Sequence, residues 1–157
     1  MKRFSAIIAI LIAFVAGKIT ADYKSGKKYL SLEKKYQKNL AIIEMLKMWV
    51  QQKQNGRLTE TFFERNNYHK IAIYGMNYLG ERLLDDLQNS QINVKYAIDR
   101  NADKIVSRLQ VVLPDSELEE VDAIIVTAIG YFDEVKHVLS QRIRCPIVAL
   151  DDVLGNL

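Results

Sequence analysis

His69-Lys70-Ile71-Ala72-Ile73-Tyr74-Gly75-Met76-Asn77-Tyr78-Leu79-Gly80 opens the stretch that decides the fold. Ile71 to Tyr74 is a compact apolar run, of the kind buried on both faces of a parallel sheet. The turn Gly75 to Gly80 follows at once. Leu79, Leu83, Leu84 and Leu87 predict a helix over Tyr78 to Gln88, ended by Asn89-Ser90. Val94 to Ile98 reads as a second strand, and Asp99 stands at its tip. Strand, glycine turn, helix, strand and acid follow one another within about 29 residues.

A dinucleotide-binding fingerprint needs that context. Gly75 would permit the tight turn, and Gly80 would let the helix pack close to the strand. A pyrophosphate would sit at the helix amino end, against backbone N–H groups. Met76, Tyr78 and Leu79 complete the turn. Asp99 would accept from ribose hydroxyls. The neighbouring Arg100 could instead attract the 2′-phosphate of NADP. The departure is Asn77, which stands where the middle glycine of the fingerprint should be. Its side chain occupies space that a glycine leaves open, or else hydrogen-bonds the ligand.

Outward from this stretch the pattern continues. Leu109 to Val112 is a third strand stopped by Pro114, and Asp115 to Glu120 an acidic turn or short helix. Val121 to Ala128 is the strongest strand of the chain. A helix over Phe132 to Gln141, a last strand over Pro146 to Leu150 and a helical turn over Asp151 to Leu154 follow. These elements predict an α/β fold with a five-stranded parallel Rossmann-like sheet in the order 3-2-1-4-5. The loop after the fourth strand then lies beside Gly75. Thr127 and Ala128 join the candidate cofactor-binding residues, with the Thr127 hydroxyl as a donor to phosphate or ribose or as a cap on the strand end.

Tyr68 to Val153 resembles the small NAD(P)-binding domains of bacterial surface-polysaccharide pathways, notably the N-terminal domain of sialic-acid and bacillosamine acetyltransferases. Ile-Ala-Ile-Tyr-Gly, Tyr-Ala-Ile-Asp and Asp-Ala-Ile-Ile-Val-Thr-Ala carry the similarity. The resemblance implies that the pocket around the glycine turn takes part of a nucleotide-sugar. The acetyltransferases' left-handed helix repeat is absent, so their activity does not transfer.

The rest of the 157-residue chain differs in character. Residues 1–70 hold 14 Lys and Arg against 5 Asp and Glu, a balance of +9; residues 71–157 hold 8 against 14, a balance of −6. The basic residues precede the sheet pattern and adjoin an apolar run, which argues against nucleic acid as a partner. Phe4 to Gly17 is uncharged. With the flanking residues to Tyr23 it reads as a single-pass membrane anchor through residues 4–23, or as a signal peptide with a poor cleavage site. The lysines after it place the following domain in the cytoplasm by the positive-inside rule. Tyr29 to Gln54, without Gly or Pro, carries an apolar stripe with a near-heptad rhythm. It reads as a helix packed on its own domain or as a homo-oligomer contact. Leu58 to Asn66 forms a short helix with Phe62 and Phe63 buried. The expected organisation is an anchor over residues 1–23, a helical connector over 24–66 and a nucleotide-binding domain over 67–157.

Catalysis finds little footing. His69 lies at the amino end of the first strand, away from the expected site, His137 reads as a surface or packing residue on the helix after the fourth strand, and Cys145 reads as a buried thiol. Asp85-Asp86 and Asp151-Asp152 read as solvated helix ends, and no metal set can be assembled. The sequence thus points to a membrane-anchored module that binds a nucleotide, NAD or NADP, or a nucleotide-sugar. The alternatives are a small oxidoreductase or epimerase and a scaffold with a vestigial pocket.

Overall fold

The computed structural model describes the backbone of residues 2–156 and the side chains of 17, 18, 20 and 22–156. The chain forms two compact units, Met1–Leu40 and Ala41–Leu157. α1 runs from Lys2 to Gln54 as one helix, where the sequence suggested an anchor and a separate connector. Gly26, the one weak point between them, costs about 1 kcal/mol of helix propensity but does not force a break. The helix stops at Asn55-Gly56, where Gly56 takes φ +70, the left-handed conformation that closes a helix.

Among the described residues no helix is long and apolar enough to cross a membrane. This overturns the single-pass anchor through residues 4–23 and, with it, the membrane localisation and the cytoplasmic orientation. The physical reason is length. Fourteen uncharged residues reach only about 21 Å along a helix, against about 30 Å of hydrocarbon, and Lys18, Asp22 and Lys24 follow directly. The side chains of 4–16, and of Ile19 and Ala21, lie outside the described residues.

In the second unit, α2 (Glu60–Arg65) precedes β1 (Lys70–Tyr74), α3 (Tyr78–Asp86), β2 (Asn93–Ile98) and a 3-10 turn at Ala102–Lys104. β3 (Val111–Val112), β4 (Ala123–Val126), α4 (Phe132–Leu139), β5 (Ile147–Ala149) and α5 (Leu150–Gly155) complete it. The five strands are all parallel and lie in the order β3-β2-β1-β4-β5. The expected α/β class and strand order are therefore present. Asp115 closes a turn that begins at Pro114, and residues 116–120 form no helix.

Alternation along the strands sends side chains to two cores. Ile71, Ile73, Ala97 and Ile125 face a core built with Trp49 of α1, Phe62 and Phe63 of α2, Leu79 and Leu83 of α3, and Leu154 of α5. Ala72, Tyr74, Tyr96, Ile98 and Ile124 face Val135 and Leu139 of α4. Burial on both faces is why these strands read as unbroken apolar runs. Among the described residues α4 is the one helix packed on the second face, joined there by loop residues such as Leu118 and Ile143, because β2–β3 is joined through a 3-10 turn and β3–β4 through a loop. A cleft of about 680 Å³ opens beside α4, toward the amino ends of β1 and β4, lined by Lys70, Tyr96, Asp122 and Cys145 among others.

Candidate functional site

The candidate residues gather where the strand order reverses, at the carboxyl ends of β1, β2 and β4. Open α/β sheets bind ligands at such places. Gly75 ends β1 with φ +97. A Cβ there would lie 2.9 Å from Thr127 Oγ1 and 3.2 Å from the Ala128 amide nitrogen. A Cβ on Gly80 would lie 2.3 Å from the Gly75 carbonyl oxygen. Gly75 is thus required by the close approach of the residues after β4 and Gly80 by the contact of α3 with the end of β1, whether or not a ligand is present.

The polar groups of the turn hold one another. Asn77 caps α3: its Oδ1 accepts from the Leu79 amide at 2.8 Å and the Gly80 amide at 3.4 Å. Its Nδ2 donates to the Thr127 carbonyl at 3.3 Å. Asn77 takes φ −95, so a positive φ is not what the position asks for. The side chain instead supplies the anion-like acceptor at the helix end where a phosphate oxygen would sit. The Thr127 hydroxyl is buried. It lies 3.2 Å from the Tyr74 carbonyl and in close contact with the Gly75 carbonyl, so its single proton is spent on the turn.

Asp99 is half-buried at the tip of β2. Its Oδ2 accepts from the Met76 amide and its Oδ1 from the Asn101 amide, both at 2.9 Å. These two bonds use about half of a carboxylate's accepting positions. Arg100 is exposed and paired with Glu134 of α4 at 2.6 Å, and its guanidinium lies 5.7 Å from the Tyr131 ring centroid. Contact with the Tyr74 phenol, then with the Glu134 carboxylate, holds the guanidinium pKa above its ordinary value. Met76 and Leu79 are buried in the core and Tyr78 is exposed. Ala128 packs against the α4 side of the sheet.

Two carboxylates that the sequence left unremarked or misread have structural work. Asp86 is nearly buried, where a solvated helix end was expected. It accepts from Trp49 Nε1 at 2.9 Å and from the Thr59 hydroxyl, and pairs with Lys53. Asp122 accepts from the His69 and Lys70 amides at 2.8 and 2.7 Å. Those bonds, the Lys70 amide's foremost, pull its carboxyl below the usual value. On the α4 side, burial above all pushes the Tyr96 phenol to about 12 and raises the half-buried Cys145 thiol. Among the described residues no group of His, Cys, Asp and Glu could hold a metal ion.

The fold and this edge define a parallel α/β domain with a glycine turn at its switch point. Comparison with family models, with curated proteins and with solved structures finds no match.

Proposed function

We propose that the edge formed by Gly75, Asp99 and Thr127 binds a nucleotide, with NAD or NADP and nucleotide-sugars as the candidate ligands. The observation that carries this reading is the bond from the Met76 amide to Asp99. It joins the glycine turn to the acid of β2 at the point where the strand order reverses, while leaving part of the carboxylate to accept ribose hydroxyls. In this reading a base lies near the Arg100–Tyr131 pair. The affinity is low, because Asn77 already caps the amides that a pyrophosphate would use. An accessory or sensing role in surface-polysaccharide metabolism rests on the family resemblance alone.

Asn77→Gly tests this directly. It restores the fingerprint and frees the Leu79 and Gly80 amides. Asn→Gly at a helix cap costs only a few tenths of a kcal/mol, so the variant folds. Calorimetric titration of the full chain with NAD, NADP and a UDP-sugar should give weak heats for the wild type and at least about tenfold tighter binding for Asn77→Gly. No heat from either protein with any of the three would refute the reading. A structural turn serving a scaffold would then stand in its place, a second reading favoured by the internal use of Asn77 and Thr127.

A further inference from the structure

The cleft beside α4 lies where the second face of the sheet has no helix among the described residues. The connection from β3 to β4 runs as a loop, and that loop and residues 142–145 wall the cleft. The walls are pinned. The Arg142 guanidinium donates to the Pro114 carbonyl, to the Asp115 carbonyl at 3.1 Å and to the Ser116 carbonyl at 2.7 Å. The Tyr96 phenol donates to the Glu119 carbonyl at 2.8 Å. Asp122 is held by the His69 and Lys70 amides. A cavity braced in this way is pre-formed, and its volume of about 680 Å³ is that of a small-molecule site.

Those bonds use part of the polar lining and leave charges of both signs. Lys70 and Arg144 border the cleft, and so do Glu119 and Glu120. None of the four forms an ion pair among the described residues. Burial raises the Tyr96 phenol and the Cys145 thiol, so both stay protonated and neutral. Leu118, Val121 and Ile143 are half-buried in the same lining and offer apolar surface. An anion alone would bring its charge to Glu119 and Glu120. A cation alone would meet Lys70 and Arg144. A molecule that carries both charges answers both pairs. We propose that this cleft binds a small zwitterion, a free amino acid with an apolar side chain. Lys70 and Arg144 take its carboxylate, Glu119 and Glu120 its ammonium group, and Leu118, Val121 and Ile143 its side chain. The site lies toward the amino ends of the strands, on the edge opposite the glycine turn, and shares no residue with the nucleotide edge. It is independent of nucleotide binding.

Cys145 is the single cysteine of the chain and borders the cleft, so its alkylation by iodoacetamide reports occupancy. The full chain is alkylated alone and with each of three probes: L-phenylalanine, hydrocinnamate, which lacks the ammonium group, and phenethylamine, which lacks the carboxylate. L-Phenylalanine should slow the reaction with a midpoint of about 1 mM or lower, as a ligand of so few heavy atoms allows. Each analogue, short of one charged contact, should need about tenfold more. Lys70→Gln with Arg144→Gln, and separately Glu119→Gln with Glu120→Gln, should each raise the phenylalanine midpoint by about tenfold or more. All four side chains are exposed, and circular dichroism checks that both double variants fold. No protection of Cys145 by phenylalanine would overturn the proposal. Equal protection by phenylalanine and either analogue would show a site for one charge and overturn the zwitterion. Protection unchanged in both double variants would place the ligand on other residues and overturn the assignment.

Discussion

At the scale of single residues, the glycines of the turn read one way in sequence and have a second reason in three dimensions. The sequence motif assigns Gly75 to a tight turn of the ligand-binding fingerprint and Gly80 to close packing of the helix on the strand. The structure accounts for both by packing, since each would drive a Cβ into fixed neighbours. Gly80 is the stricter case, because the obstacle is the Gly75 carbonyl, part of the backbone, at 2.3 Å. Gly80→Ala should therefore destabilise the domain by about 3 kcal/mol, as overpacking of a tight contact does. Gly155→Ala, where no atom lies within 4 Å of the added Cβ, should stay within about 0.5 kcal/mol of wild type. Urea unfolding of the two variants checks this, and equal effects would refute the packing account. Asn77 was visible in sequence as an exception. Its capping role was hidden because it depends on bonds to Leu79 and Thr127, and the second lies fifty residues away.

At the scale of elements, the local β1–turn–α3–β2 unit was legible because all its signals are adjacent in the chain. Short edge elements were less so. β3 is only Val111–Val112, and the acidic segment after it has no apolar spacing that would commit it to a helix. Asp86 was misread for a different reason. Its partners Trp49, Lys53 and Thr59 come from earlier in the chain, and no local pattern announces them. Asp86 ties α3 to α1 and to the turn before α2. Asp86→Ala leaves the indole N–H and the Thr59 hydroxyl without their acceptor, and should cost about 2–4 kcal/mol in a denaturant titration; a loss under 1 kcal/mol would remove Asp86 from this role. Asp122 joins the start of β4 to the start of β1, and its folded pKa is lowered. The unfolded chain therefore binds its proton more readily. Its contribution is fully present above the ordinary carboxylate value near 3.9 and is lost as pH falls through the lower folded value. Asp122→Asn should trail wild type in stability at pH 7, and the gap should narrow near pH 3. A gap independent of pH would contradict the assignment.

At the scale of the whole molecule, periodicity and strand order sufficed to foresee one parallel sheet. They could not divide the long helix. Tyr29 to Gln54 was read as a single connector, yet its side chains differ along its length. From Asp22 to Leu40 all are exposed, while Trp49 is buried in the sheet domain. A stripe at helical spacing looks the same in sequence whether it meets a core or water. The two stretches should differ in how easily they open. A helical stretch without packing has little beyond its own hydrogen bonds to hold it, and such stretches open at the low end of the free-energy range. Trypsin should therefore cut first among the exposed Lys24, Lys27, Lys28, Lys34 and Lys35. It should leave a resistant fragment that begins near Ala41 and reaches the sheet's last helix, α5. Lys47 and Lys53 lie beyond that point on the packed part of α1 and should be spared; Lys53 is further held by Asp86. Mass spectrometry of a brief digest identifies the first cuts. Early cleavage at the exposed Arg100, Lys104 or Arg108 of the β2–β3 connection, ahead of any in α1, would show that the sheet domain opens more readily than the exposed helix and would refute this order of stability.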